Sequence, residues 1–391
     1  MPPFIRSLRD FFISIQLTVA LLFLSLVLVF VATLDQTQLG IWGIQQKWFH
    51  SFVVYQDVGA IRLPVFPGGY LIGGMLFFNL IGAHVYRFRF TWSKSGIQLA
   101  HAGLILLLCG ELISGIMQKD SSVRLEEGET KNYSESFRDY ELALLDRTDP
   151  AFDEVVAIPS SVLEQKGVIQ HPKLPFTVRI KEYYANAALS RRTSAAPAGT
   201  GAPAGTGATA GVGASILMIE QPLTYKTDEV NTPGAYVEIT GPNGPLGTWL
   251  VSDQLGAPQT FHIGNRTWEL ALRLRRFYQP FSLTLLKVNH EVYPGTDIPK
   301  NFSSRVQLKS DDGHDNRETV IFMNNPLRHG GLTFYQYQMN AASRMTVLQV
   351  VRNPGWLLPY VACIMMGVGL CIQFGMTLAK FIRKRATVVT A

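Results

Sequence analysis

Two histidines are the residues best placed to do chemistry. His84 and His101 flank a short loop that carries Arg87, Arg89 and Lys94 and no acid. Each falls at the end of an apolar stretch. Ionisable side chains within a membrane span are expensive and by default mark function. The stretches 69–86 and 97–117 predict two antiparallel helices. At ~1.5 Å rise per residue, His84 lies roughly 3 Å inside its helix end and His101 roughly 6 Å inside its own. The two rings then sit at similar depth, and facing imidazoles suit a haem iron, which takes axial histidine. The other reading leaves each ring at the headgroup level, touching only water or lipid. His101, the deeper of the two and followed by Ala102-Gly103, is the stronger candidate.

The elements that must position these rings follow from composition. The chain has 391 residues, 47% hydrophobic and only 16% charged. The apolar residues concentrate in blocks near both ends, which implies a membrane protein with one large polar insert. Four spans are expected, at 11–34, 69–86, 97–117 and 356–379, the first read as uncleaved. The aromatic-rich segment 35–67 reads as an interfacial loop, with room for a short amphipathic helix. Asn79, in mid-span, is expected to hydrogen-bond to another helix. Glu111 either serves as a proton or ligand group, or reaches the interface or Lys119.

Basic residues beside the spans set orientation. The tail 1–10 holds Arg6 and Arg9, the loop 87–96 holds Arg87, Arg89 and Lys94, and the tail 380–391 holds Lys380, Arg383, Lys384 and Arg385. One acid, Asp10, accompanies them. All three segments are therefore expected in the cytoplasm, with both termini, and 118–355 outside. The net charge of +6 reads as topology, with no nucleic acid as partner. Cys109, Cys363 and Cys371 all fall in spans, and no Cys-x-x-Cys is present, which argues against thiol redox chemistry.

The segment 118–355 reads as β. Phe176, Val178 and Ile180 alternate with polar residues, as do Trp268, Leu270, Leu272 and Leu274 apart from Ala271. Similar alternation runs through 283–288 and 334–338. The stretch 195–215 contains an exact six-residue repeat rich in Ala, Pro, Gly and Thr, and is expected to be a disordered surface loop. His171, His262, His290, His314 and His329 are scattered without metal-ligand spacing. Arg275 and Arg276 suit either an anion, such as a haem propionate, or a solvated strand edge. No nucleophile, phosphate or dinucleotide motif appears, so no catalytic residue is assigned.

The chain resembles the ResB-like proteins of system II cytochrome c biogenesis. The resemblance rests on Pro67-Gly-Gly-Tyr70, Asn79, Lys94-Ser-Gly-Ile97, His101-Ala-Gly-Leu-Ile105 and Leu125 to Tyr133. It continues through Pro294 to Asn301, Met323 to Arg328, Phe334-Tyr-Gln336 and Val347 to Pro359. It implies three spans, a large domain outside the bacterial cytoplasmic membrane, and a fourth span. It implies haem b as a transported ligand, with His101 matching the family's axial ligand in the third span and His84 fitting by position. It also implies a second haem-handling membrane subunit with a tryptophan-rich motif, apocytochrome c, and a thioredoxin-like thiol reductant as partners. This chain lacks the tryptophan-rich motif, so it reads as one subunit of a haem lyase complex. The alternative is an assembly scaffold that binds no haem and docks apocytochrome c or its reductant through the outer domain.

Overall fold

A computed structural model describes residues 3–59, 61–87, 91–150, 152–191, 207–224, 229–295, 299–340 and 342–389. The chain divides into a helical unit, formed by 1–119 and 352–391, and a β unit formed by most of 120–351.

The helical unit begins with α1 (Pro3–Phe12) and α2 (Ile15–Ile44). The chain breaks between them because Ser14 is extended and caps α2, its Oγ accepting from the Leu17 N–H at 3.2 Å. Asn79 satisfies the carbonyls freed at this break. Its Nδ2 donates to Phe12 O at 2.6 Å and Ser14 O at 3.1 Å, and its Oδ1 accepts from Thr18 Oγ1 at 2.6 Å. A fully buried amide in an apolar setting needs such partners, so the helix-to-helix bond expected of Asn79 is made.

The first span runs on beyond 34. α2 turns at Gly40, whose φ of 69° suits glycine, and a wider π-helical turn extends it through Gln45–Phe49. Asp35 is held there by Lys47 Nζ at 2.8 Å and Trp48 Nε1 at 2.9 Å. The remainder of 35–67 is a hairpin, β1 (Val53–Val58) with β2 (Ile61–Pro67). Then come α3 (Gly69–Gly82), a π-helical turn at Ala83–Arg87, α4 (Ser95–Met117) and, after the β unit, α5 (Leu358–Val389). Among the described residues, four helical segments are long and apolar enough to cross a membrane: Ile15–Phe49, Gly69–Tyr86, Trp92–Met117 and Leu358–Arg385. The four expected spans are present.

α4 and α5 pack through small residues. Gly96, Gly103 and Gly110, seven apart, are all buried. A Cβ on Gly103 would stand 2.8 Å from Ala362 O, and one on Gly96 would stand 2.5 Å from Gly369 O. Close backbone approach of this kind supplies van der Waals contact where lipid offers no hydrophobic driving force.

The β unit contains β3 (Lys119–Glu126), β4 (Thr130–Asp146), β5 (Glu154–Pro159), β6 (Gly167–Ile169), β7 (Thr177–Tyr184), β8 (Ala187–Arg191) and β9 (Ile216–Glu220). It continues with β10 (Gly234–Gly241), β11 (Gly244–Ser252), β12 (Gln259–Ile263), β13 (Arg266–Val292), β14 (Pro299–Ser310) and β15 (Asn316–Phe322). β16 (Leu327–His329), β17 (Leu332–Asn340) and β18 (Met345–Arg352) complete it. One sheet runs β15-β14-β13-β4-β3-β18-β17-β16, with β12 beside β13 and β5 beside β4; a second runs β11-β10-β7-β6. Period-2 patterning decides which face is buried: Phe176, Val178 and Ile180 are core while Arg179 and Lys181 are exposed. Trp268 meets Phe176 edge-on at 5.0 Å and packs with Leu142, Leu144, Leu270 and Val237. A second core gathers Leu125, Leu285, Leu308, Ile321, Phe334 and Leu348. Each such side chain contributes about 1.5–3 kcal/mol on burial. Among the described residues the helices here are single turns at Ser160–Leu163 and Val212–Ser215.

The disorder expected for 195–215 does not extend to its end; 195–206 lie outside the described residues. In 207–215, Ala208 is buried, Ala210 bridges to Trp249, and Thr209 N donates to Thr248 O at 2.8 Å. Small side chains here fit against β11, where a larger residue would not.

Candidate functional site

His101 lies one and a half turns into α4. Its Nδ1 stands 2.8 Å from the carbonyl oxygen of Ile97, one turn back. A carbonyl only accepts, so Nδ1 carries a hydrogen, and in the neutral tautomer the lone pair lies on Nε2. A backbone bond that fixes the tautomer in this way is the usual support of a metal-binding histidine.

His101 lines a cavity of about 640 Å³ in the helical unit. The walls come from α2 (Ile15, Thr18, Leu22), α3 (Gly73, Leu76, Asn79, Leu80) and α4 (Leu104, Leu108), with Lys94 just before α4. The lining is mainly apolar, with one imidazole and one ammonium. Asn79 and Thr18 are committed to each other and to the α1–α2 break, so they shape the wall. The volume falls within the ~300–1,000 Å³ of ordinary ligand sites.

His84 occupies the π-helical turn Ala83–Arg87 that follows α3. Its neighbour Ala83 lines the His101 cavity, whereas His84 is not among the lining residues. The wider turn rotates His84 away from the register an uninterrupted α-helix would give it, and nothing in the sequence signals that turn. Phe88, Arg89 and Phe90 of the basic loop lie outside the described residues.

Of the settings expected for Glu111, the pairing with Lys119 is not made among the described residues. Glu111 lines another cavity, of about 420 Å³, with Thr33, Gln36, Gln45 and His50. The His50 ring stacks on Tyr70 at 5.5 Å. Nothing in the local sequence sets His50 apart from the interface aromatics around it; its juxtaposition with a span carboxylate depends on the bend at Gly40.

Two of the scattered histidines of the β unit make local contacts within it. His262 Nδ1 is 3.1 Å from Thr267 Oγ1 across the β12–β13 turn. His329 packs edge-on against Phe281 at 4.7 Å and lies 3.2 Å from Asp315. Among the described residues no group of three or more His, Cys, Asp or Glu converges. The Arg276 side chain is not simply solvated: it bonds Glu135 Oε1 at 2.9 Å and stacks on Tyr133 at 4.2 Å. Burial lowers its guanidinium, but the facing Tyr133 and Glu135 outweigh this and hold it above its usual value. Arg275 packs over Phe277.

Among the described residues, four helices apolar enough to cross a membrane and a large multi-sheet unit define a membrane protein with a β-rich domain. The sequence profile of the ResB-like family matches residues 250–343. A 112-residue segment is 30% identical to the protein NrfI of Wolinella succinogenes. That alignment covers 29% of this chain and 12% of NrfI, so the chain matches a small part of that longer protein.

Proposed function

We propose that this protein is a subunit of cytochrome c biogenesis of the system II type, binding haem b in the helical unit during its passage to apocytochrome c. The ResB-like match supports the process. The observation that carries haem as cargo is the His101 cavity: a ring with its Nε2 lone pair set by Ile97, apolar walls for a porphyrin face, and the Lys94 ammonium for a propionate. His101 is the axial ligand of this reading. His84 is the second ligand candidate, and the partner subunit is the other possible source of that ligand. The haem supplies the vinyl groups that are modified; the chain's own residues hold and orient it, and such positioning supplies much of the rate.

The charge distribution supports a cytoplasmic-membrane protein with both termini in the cytoplasm and the β unit outside. The partners are a haem-handling membrane subunit with a tryptophan-rich motif, apocytochrome c, and a thioredoxin-like reductant of its thiols. The test is the visible spectrum of the detergent-purified protein, alone and with its partner, as wild type, His84→Ala and His101→Ala. A bis-imidazole spectrum in the lone wild type that fades in either variant assigns both rings. Haem present only with the partner, and lost with His101→Ala alone, assigns a shared site. No haem in any form, with cytochrome c maturation intact in both variants, overturns the reading in favour of a docking scaffold.

A further inference from the structure

The long strand β13 has an incomplete neighbourhood. On one side it pairs with β4 at Trp268–Leu274, Arg276–Tyr278 and Leu283–Thr284, with register shifts at Arg275 and between Tyr278 and Leu283. On the other side β12 covers it only as far as Leu270, opposite Gln259, and β14 begins only at Phe281, opposite Ser310. Both neighbours lie opposite β4, because β13 is paired with β4 at 268–270 and again at 283–284. From Ala271 to Gln279 no strand among the described residues pairs with that side. Pro280 is closed off, its carbonyl accepting from Asp311 N at 3.1 Å, and the Gln279 side chain reaches Phe277 O at 3.3 Å. The gap is nine residues, about 30 Å at ~3.3 Å per residue, enough for a strand of ordinary length.

Space lies beside this edge. A cleft of about 990 Å³ is lined by Ala271, Leu272, Arg273, Arg276 and Tyr278 from β13, by Asn132 and Leu145 of β4 and Val155 of β5, and by 251–253 and 255–259 opposite. Three arginines and three acids carry charge in its lining. Arg147 bonds Asp153 and Glu269, Arg273 bonds Glu141, and Arg276 bonds Glu135. Asp253, on the facing loop, has no ion pair among the described residues. Partial burial and then Glu135 push its carboxyl above the usual range, as a carboxylate lacking a cation would be. An unpaired edge accepts main-chain hydrogen bonds from any extended chain, and neighbouring side-chain sites give selectivity.

We propose that residues 271–279 of β13 accept an extended polypeptide segment as an added strand, with a lysine or arginine of that segment against Asp253. The pairing is independent of haem at His101. The test uses the full chain in detergent, hydrogen–deuterium exchange, and two capped eight-residue peptides alternating valine with lysine or valine with glutamate. The lysine peptide is expected to slow exchange of amides within 271–279 and to bind at least tenfold tighter than the glutamate peptide. Asp253→Asn is expected to reduce that preference several-fold while leaving haem absorbance unchanged. Equal binding of the two peptides, or no slowing within 271–279, overturns the proposal. Protection of 271–279 that grows with protein concentration without peptide also overturns it, by assigning the edge to a second copy.

Discussion

His101 Nδ1 lies 2.8 Å from the backbone oxygen of Ile97, so the helix that carries the ring also fixes its tautomer. A carbonyl cannot be removed by side-chain substitution, and the preference survives without ligand. Nitrogen NMR of histidine-labelled protein free of haem is expected to show the His101 signal as the Nδ1–H tautomer. An Nε2–H signal would place the lone pair away from the role assigned to it.

Gly73 lines the His101 cavity, and a Cβ built there meets nothing within 4 Å. Gly73→Leu therefore fills the cavity without displacing backbone. The variant is expected to melt within a few degrees of wild type while its haem-to-protein ratio falls several-fold. A normal haem ratio in a folded Gly73→Leu protein would move the ligand elsewhere.

Gly103 has no such room, because the α5 backbone at Ala362 lies in the way. Gly103→Val is expected to cost about 1–3 kcal/mol through overpacking, read as a lower melting temperature in detergent. Gly115→Ala and Gly367→Ala, where a Cβ meets nothing within 4 Å, are the controls and are expected to melt as wild type.

Arg273 and Glu141 form an ion pair of 3.1 Å whose side chains are 12% and 6% exposed. Removing one partner leaves the other charge buried, so Glu141→Gln is expected to destabilise the β unit by about 3–5 kcal/mol. The double variant Arg273→Leu, Glu141→Leu is expected to recover much of this loss. Denaturant unfolding followed by tryptophan fluorescence reads both, since Trp268 is buried on this strand.

Burial, then the charge of Asp253, pushes the Tyr140 phenol up to about 12 from its ordinary 10. Below pH 10 the folded and unfolded states both keep the proton. Between pH 10 and 12 the unfolded chain releases it while the folded chain retains it. Stability therefore falls as pH rises across this window, by about 2 kcal/mol from this group. Tyr140→Phe is expected to flatten that alkaline loss in melting experiments and to leave the curve near neutral pH unchanged.

Much of the architecture was legible in the residues. The apolar blocks fixed four spans, because length and lack of charge leave few alternatives in lipid. The alternation in 176–180 and 268–274 fixed strands and their buried faces, because a period of two permits only one face to be apolar. Asn79 announced its own hydrogen bonds, because a buried amide must find partners. His101 announced itself as an ionisable group in a span.

The tertiary structure decided the rest. Only the packed helices enclose His101 with Gly73, Leu76 and Leu104 and leave His84 outside the lining, since a π-helical turn shifts its register without a mark in the sequence. Only the fold sets His50 beside the cavity of Glu111, or lets Gly96 and Gly103 meet backbone oxygens of α5. The order imposed on 207–215 comes from β11, not from that segment's own composition. The open edge of β13 is likewise invisible in its residues. Local patterning specifies which way a side chain points, whereas the register at which distant strands stop and start is set by the sheet as a whole.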